Sequence, residues 1–176
     1  MANVANKAKI FAIAAHSAVN QKRKYTGDDY HVHPINVAHM VESVSGDLEM
    51  MAAAYLHDVV EDTAVTIELI EVIFGSNIAA LVDGLTDKSK ISDGNRSARK
   101  AIDRDNLSRQ CPNVKTIKLA DLIDNSSSIA LHDPGFAKVY MREKRDLLEV
   151  LGDGDKKLLR IAKKIVHDYF KGEKNE

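Results

Sequence analysis

Apolar residues recur at three- and four-residue steps along most of this 176-residue chain, and no stretch alternates apolar with polar residues as a half-buried strand would. That period belongs to helices that turn one face to a core. Ile10, Ile13, Ala14 and Ala18 set it first and predict a helix over 4–21. Residues 22–32 are polar, hold Gly27 and read as a loop. Pro34 suits the first turn of a second helix reaching about residue 45, because the first N–H groups of a helix have no partner within it. Asp47 is placed to cap a third helix carrying LEMMAAAYLHDVV, and Thr66 opens a fourth that stops near Gly75. A fifth covers 77–86, and 87–95 is a polar loop. Further helices are predicted at 96–110, 113–131, 135–151 and 155–171, separated by Pro112, by the run 132–135 (HDPG) and by 152–154 (GDG). About nine helices with short connections make the fold class all-α, and the length suits a single domain, 1–176, with a sizeable core.

Composition removes several function classes. Hydrophobic residues make up 44% and charged residues 29%, an ordinary globular balance. A formal net charge of -1 offers no basic excess of the kind nucleic-acid binding needs, so no nucleic-acid partner is expected. Cys111 is the single cysteine, so there is no disulfide framework. The apolar N-terminal stretch is interrupted by Lys7, Lys9 and His16; it reads as neither a membrane span nor a signal peptide, and a cytoplasmic protein without membrane attachment is expected.

Three patches can carry chemistry: His33 with Pro34, His57-Asp58 followed by Glu61-Asp62, and Asp121 within KLADLIDN. The apolar run Met51 to Leu56 leads straight into the second patch. On a continuous helix, residues four apart share a face, so His57 would align with Glu61 and Asp58 with Asp62. Either the helix delivers buried charge that needs a partner or a metal, or it simply emerges into solvent at His57. Asp121 sits among Leu119, Ala120, Leu122 and Ile123, with Lys118 and Asn125 at helical spacing; a ligand and an amphipathic border residue are both open readings. Two imidazoles and two carboxylates fill four positions of an octahedral cation, and that donor mix suits Mn, Fe, Ni, Co or Zn better than Mg or Ca.

His33, His57-Asp58 and Asp121 match the H…HD…D pattern of the HD-domain phosphohydrolase superfamily. Longer segments, AHSAVNQKRKYTGDDYHVHPINVAHMV, AAAYLHDVVEDTAVTIELIEVIFGSNIAALVDGLTD and IKLADLIDN, resemble the hydrolase domain of the RelA/SpoT family, in particular its small stand-alone alarmone hydrolases. The resemblance spans about residues 5–130 and implies an HD-domain helical bundle that removes the 3′-pyrophosphate of (p)ppGpp with one Mn2+, other divalent transition metals being an option. It makes His33, His57, Asp58 and Asp121 the metal ligands, and Glu61 and Asp62 the catalytic pair that orients and activates water. Arg23, Lys24 and Asn125 become substrate-binding residues. A chain of this length has no room for the synthetase and regulatory domains of long family members, so degradation alone is expected.

The expected partner is a nucleotide, with self-association left open. Lys88, Lys90, Arg96, Arg99 and Lys100 either line the phosphate end or face water; Tyr140, Arg142 and Lys144 either touch the nucleotide or serve packing and surface charge. His16 is either a group behind the ligands or a satisfied polar residue. Two rivals share the fold: hydrolysis of another nucleotide or phosphorylated metabolite, and a nucleotide-binding module without turnover. The intact His57-Asp58 and Glu61-Asp62 pairs argue against the second.

Overall fold

The structure is a computed structural model that describes residues 3–172. Ten α-helices and one short 3-10 turn account for its regular structure, with no strand among the described residues beyond an isolated bridge between Lys22 and Asp29. The all-α expectation holds. The tenth helix comes from one predicted element that the structure divides in two. The chain forms two compact units, Met1–Asp87 and Lys88–Glu176.

In the first unit, α1 (Val4–Ala18) buries Ala5, Ala8, Ala12 and His16, a stripe at three- and four-residue steps. α2 (Val32–Glu42) follows the loop, and α3 (Leu48–Leu56) is buried at every residue from Met50 to Leu56. A helix that is apolar all round belongs in the middle. α3 accordingly packs against α1, α2 and α6 (Ser76–Leu85). Alanines on both α1 and α3 let those two backbones approach. Asp47 caps α3 as its sequence position suggests, with Oδ1 accepting from the amides of Glu49 and Met50 at 2.9 and 3.2 Å. Such a cap is worth about 1 kcal/mol. Thr66 does the same for α5 (Ile67–Phe74). Gly75 sits between α5 and α6 at φ 90°, a backbone region that residues with a Cβ enter at a cost.

The predicted continuous third helix is the main local difference. α3 stops at Leu56, and a single turn, α4 (Val59–Asp62), follows after His57 and Asp58. The cause is local competition. The His57 ring takes the carbonyl of Ala54 at 2.8 Å, in the turn where a continuing helix would use backbone amides.

The second unit begins with a loop containing the 3-10 turn Ile91–Asp93 and is held to α7 (Arg96–Ser108) by one buried carboxylate. Asp103 accepts the amides of Lys88 and Ser89 and the hydroxyl of Ser89, each at 3.0 Å. α8 (Pro112–His132), α9 (Pro134–Leu148) and α10 (Lys156–Gly172) pack on one another. α10 contributes Leu158, Ala162 and Val166, four residues apart, to their shared core.

Candidate metal centre

His33 lies in the first turn of α2 and is fully buried; His57 and Asp58 form the break between α3 and α4. The three offer one ligand atom each, all within 4.8 Å of one another. The structure therefore brings His33 to a pair, His57 and Asp58, that lies well beyond it in the sequence. The two imidazoles meet edge to face, 5.1 Å between ring centres.

The hydrogen bonds fix which ring atom each group can offer. The Ala54 carbonyl can only accept, so Nδ1 of His57 carries a proton, and the neutral ring offers its lone pair at Nε2. That lone pair faces Asp58 Oδ2 at 3.1 Å, and His33 Nε2 lies 3.5 Å from the same oxygen. The oxygen also accepts the Tyr30 hydroxyl at 2.6 Å. A neutral imidazole lone pair and a carboxylate lone pair repel at such a distance unless a proton or a cation stands between them. Two imidazoles and a carboxylate form a donor set suited to a divalent transition metal. A ring N–H held by a backbone carbonyl, as at His57, is also how such ligands are usually oriented.

The first unit also carries four other sequence candidates, Glu61, Asp62, Arg23 and Lys24. Glu61 and Asp62 are both exposed on α4. Glu61 Oε1 accepts the amide of Asp87 at 2.7 Å, and Asp62 Oδ2 accepts the side-chain amide of Gln21 at 2.9 Å. The loop between α1 and α2 closes on itself through Arg23 N to Asp28 O at 2.8 Å and Gly27 N to Arg23 O at 3.0 Å. It carries Arg23 half-buried and Lys24 exposed, with the Lys24 ammonium 4.7 Å from the centre of the Tyr25 ring.

In the second unit, Asp121 is buried on α8. Its Oδ1 accepts from Asn125 at 2.6 Å and its Oδ2 pairs with Lys118 at 2.8 Å, one helical turn to either side. Tyr140 is buried, and that burial, with Asp121 nearby, raises its phenol well above the usual range. Lys144 is half-buried; desolvation, reinforced by Lys118, pushes its ammonium down to about 8. Arg96 makes a two-pronged pair with Glu143 at 2.7 and 2.9 Å, and Arg142 is exposed. Lys88 gives its backbone amide to Asp103.

Sequence reasoning missed Tyr30 and Gln21. Tyr30 stands three residues before His33, and a hydroxyl-bearing ring beside a ligand could have been flagged, but its carboxylate partner is 28 positions away. Gln21 carried no signal.

A helical fold in which a helix start and a helix break bring two histidines and an aspartate together defines a candidate metal centre. The family model described as HD domain matches residues 8–152, and the chain belongs to that family. Among curated relatives, a probable guanosine-3′,5′-bis(diphosphate) 3′-pyrophosphohydrolase of Synechocystis sp. is 34% identical over 153 residues, covering 84% of this chain and 19% of the relative. A guanosine-3′,5′-bis(diphosphate) 3′-pyrophosphohydrolase of Aquifex aeolicus is 38% identical over 109 residues, covering 62% of this chain and 16% of the relative. The chain thus spans less than a fifth of the length of these relatives. A solved structure described as a metazoan ortholog of SpoT that hydrolyzes ppGpp and plays a role in starvation responses matches with a TM-score of 0.84, at 27% identity, over 96% of both chains.

Proposed function

We propose that this chain hydrolyses the 3′-pyrophosphate ester of (p)ppGpp, releasing pyrophosphate, with Mn2+ as its divalent cation. The converging lone pairs of His33, His57 and Asp58 carry this reading. Its substrate comes from similarity to proteins whose names and title specify ppGpp, one of them matching along 96% of both chains. Asp121 enters as the fourth ligand through the motif alone. The family match runs across residues 8–152, which supports reading 1–176 as one HD-type domain.

The residues divide the work as follows. His33, His57, Asp58 and Asp121 would hold the cation. When bound, it lowers the pKa of a water and polarises a phosphoryl oxygen. Glu61 and Asp62 orient that water, and one of them accepts its proton, help that is typically worth about 10²–10⁴-fold. Arg23, Lys24 and Asn125 bind the nucleotide. The departing 3′-oxygen takes a proton or pairs with a lysine or arginine.

The test is pyrophosphate release from ppGpp by the purified chain with Mn2+, with chelator, and with Asp58→Ala. Release that needs Mn2+ and disappears in the variant is the expected result. Phosphate released from other nucleotides, with ppGpp untouched, replaces the substrate. Tight nucleotide binding without turnover under any metal replaces the enzyme reading with a binding module, and full activity in Asp58→Ala removes the metal assignment.

A further inference from the structure

Behind Asp62 stand two polar side chains that the metal centre leaves unused. Asp62 Oδ2 accepts the side-chain amide of Gln21 at 2.9 Å, and Gln21 Oε1 lies 2.7 Å from Nδ1 of His16. A carboxylate only accepts, so the Gln21 nitrogen is committed to Asp62 and its oxygen to His16. His16 must then donate from Nδ1. Its Nε2 keeps a lone pair, and that atom is buried without a hydrogen-bond partner among the described residues. The ring is 1% exposed, on the core face of α1, and lies 4.9 Å from the ring of Tyr30, whose hydroxyl holds Asp58. Burial also favours the neutral imidazole. Every bond in the chain from His16 to Asp62 therefore has one direction, set by the carboxylate that can only accept.

Asp62 needs such an anchor. It ends a one-turn helix and is exposed, so nothing else in α4 selects its rotamer. A general base must stand within about 2.6–3.2 Å of the proton it takes. The Gln21 bond to Oδ2 sets the orientation of the carboxylate, so that Oδ1, outside that bond, can be turned toward a water.

We propose that His16 and Gln21 are positioning residues for Asp62: His16 orients the Gln21 carboxamide, and Gln21 holds one Asp62 oxygen so that the other is presented to the attacking water. This rests on Asp62 acting on that water. The duller account is that the pair only ties down the loop after α1, where Gln21 also makes backbone bonds to His16 and Tyr30.

Two experiments on the full chain separate these accounts. In the first, long-range 1H–15N spectra report the His16 tautomer. The expected state is Nδ1–H, with its resonances displaced in Gln21→Met. An Nε2–H tautomer, or a His16 signal that ignores Gln21→Met, overturns the proposal. In the second, kcat and KM for ppGpp are measured. Gln21→Met and His16→Leu are expected to lower kcat about 10–100-fold at nearly constant KM, as a misplaced catalytic group does. His16→Asn sets an amide N–H where Nδ1 stood and is expected to restore kcat to within about 3-fold of the parent. In an Asp62→Asn background, Gln21→Met should cost less than about 2-fold, since coupled residues are not additive. Equal loss in His16→Asn and His16→Leu, or the same Gln21→Met loss in both backgrounds, overturns it. If His16→Leu fails to fold, Gln21→Met, at a half-buried position, carries the kinetic test. A parent that turns over no ppGpp sinks the proposed substrate, and the tautomer measurement still decides the hydrogen-bond chain.

Discussion

Asp58 is the residue on which most of the centre depends. Both imidazoles and the Tyr30 hydroxyl meet its Oδ2, and its side chain retains 16% exposure, an opening toward solvent. Tyr30 bonds the same carboxylate oxygen that both imidazoles face. Partners of this kind typically change metal affinity about 10–100-fold when removed. Tyr30→Phe is therefore expected to weaken Mn2+ binding by about that factor while leaving the helical circular dichroism spectrum unchanged. Competition with a chromophoric chelator measures it, and an affinity equal to the parent's would show that the hydroxyl does not orient Asp58. Asp103 illustrates the opposite case, a buried carboxylate whose three accepted bonds serve the loop before α7.

At the scale of elements, the break after α3 does the positioning. A continuous helix would have stacked His57 on Glu61; the break instead turns Asp58 back toward His57 and sets Glu61 and Asp62 on a separate turn. In the second unit the decisive join is the loop between α9 and α10. A Cβ on Gly154 would lie 2.9 Å from Leu119 Cδ1 and 3.1 Å from the Lys115 backbone on α8. The next residue, Asp155, donates its amide to Thr116 at 2.9 Å, so the loop has no slack there. Gly154→Ala should cost about 1–3 kcal/mol, the usual cost of overpacking. Urea unfolding at constant m-value reads this directly; an unchanged midpoint would mean that the loop lifts freely off α8.

For the whole molecule, a cation held by the proposed ligands would be linked to folding. Ligands that meet only in the folded chain stabilise it by about 2.7 kcal/mol when the metal is at 100 times its Kd. Mn2+ is expected to raise the Tm of the parent, chelator to reverse the rise, and Asp58→Ala to abolish it. A Tm that rises equally in the variant would place the metal elsewhere. No helix among the described residues is long and apolar enough to cross a membrane.

The sequence determined the helices and most of their ends by itself, because period, caps and breakers are local: Asp47, Thr66, Gly75 and Pro112 all stand at the helix ends where their chemistry places them. It also exposed His33, His57, Asp58 and Asp121 as a motif, through their match to the HD-domain pattern; taken alone, the residues left both a ligand and a border residue open for Asp121. Tertiary structure alone decided that Tyr30 reaches Asp58 across 28 residues and that Gln21 reaches Asp62 across 41. It decided as well that Gly154 must lie flat on α8. Such contacts depend on how helices pack, and helical periodicity records which face is buried, not which residue of another helix it meets.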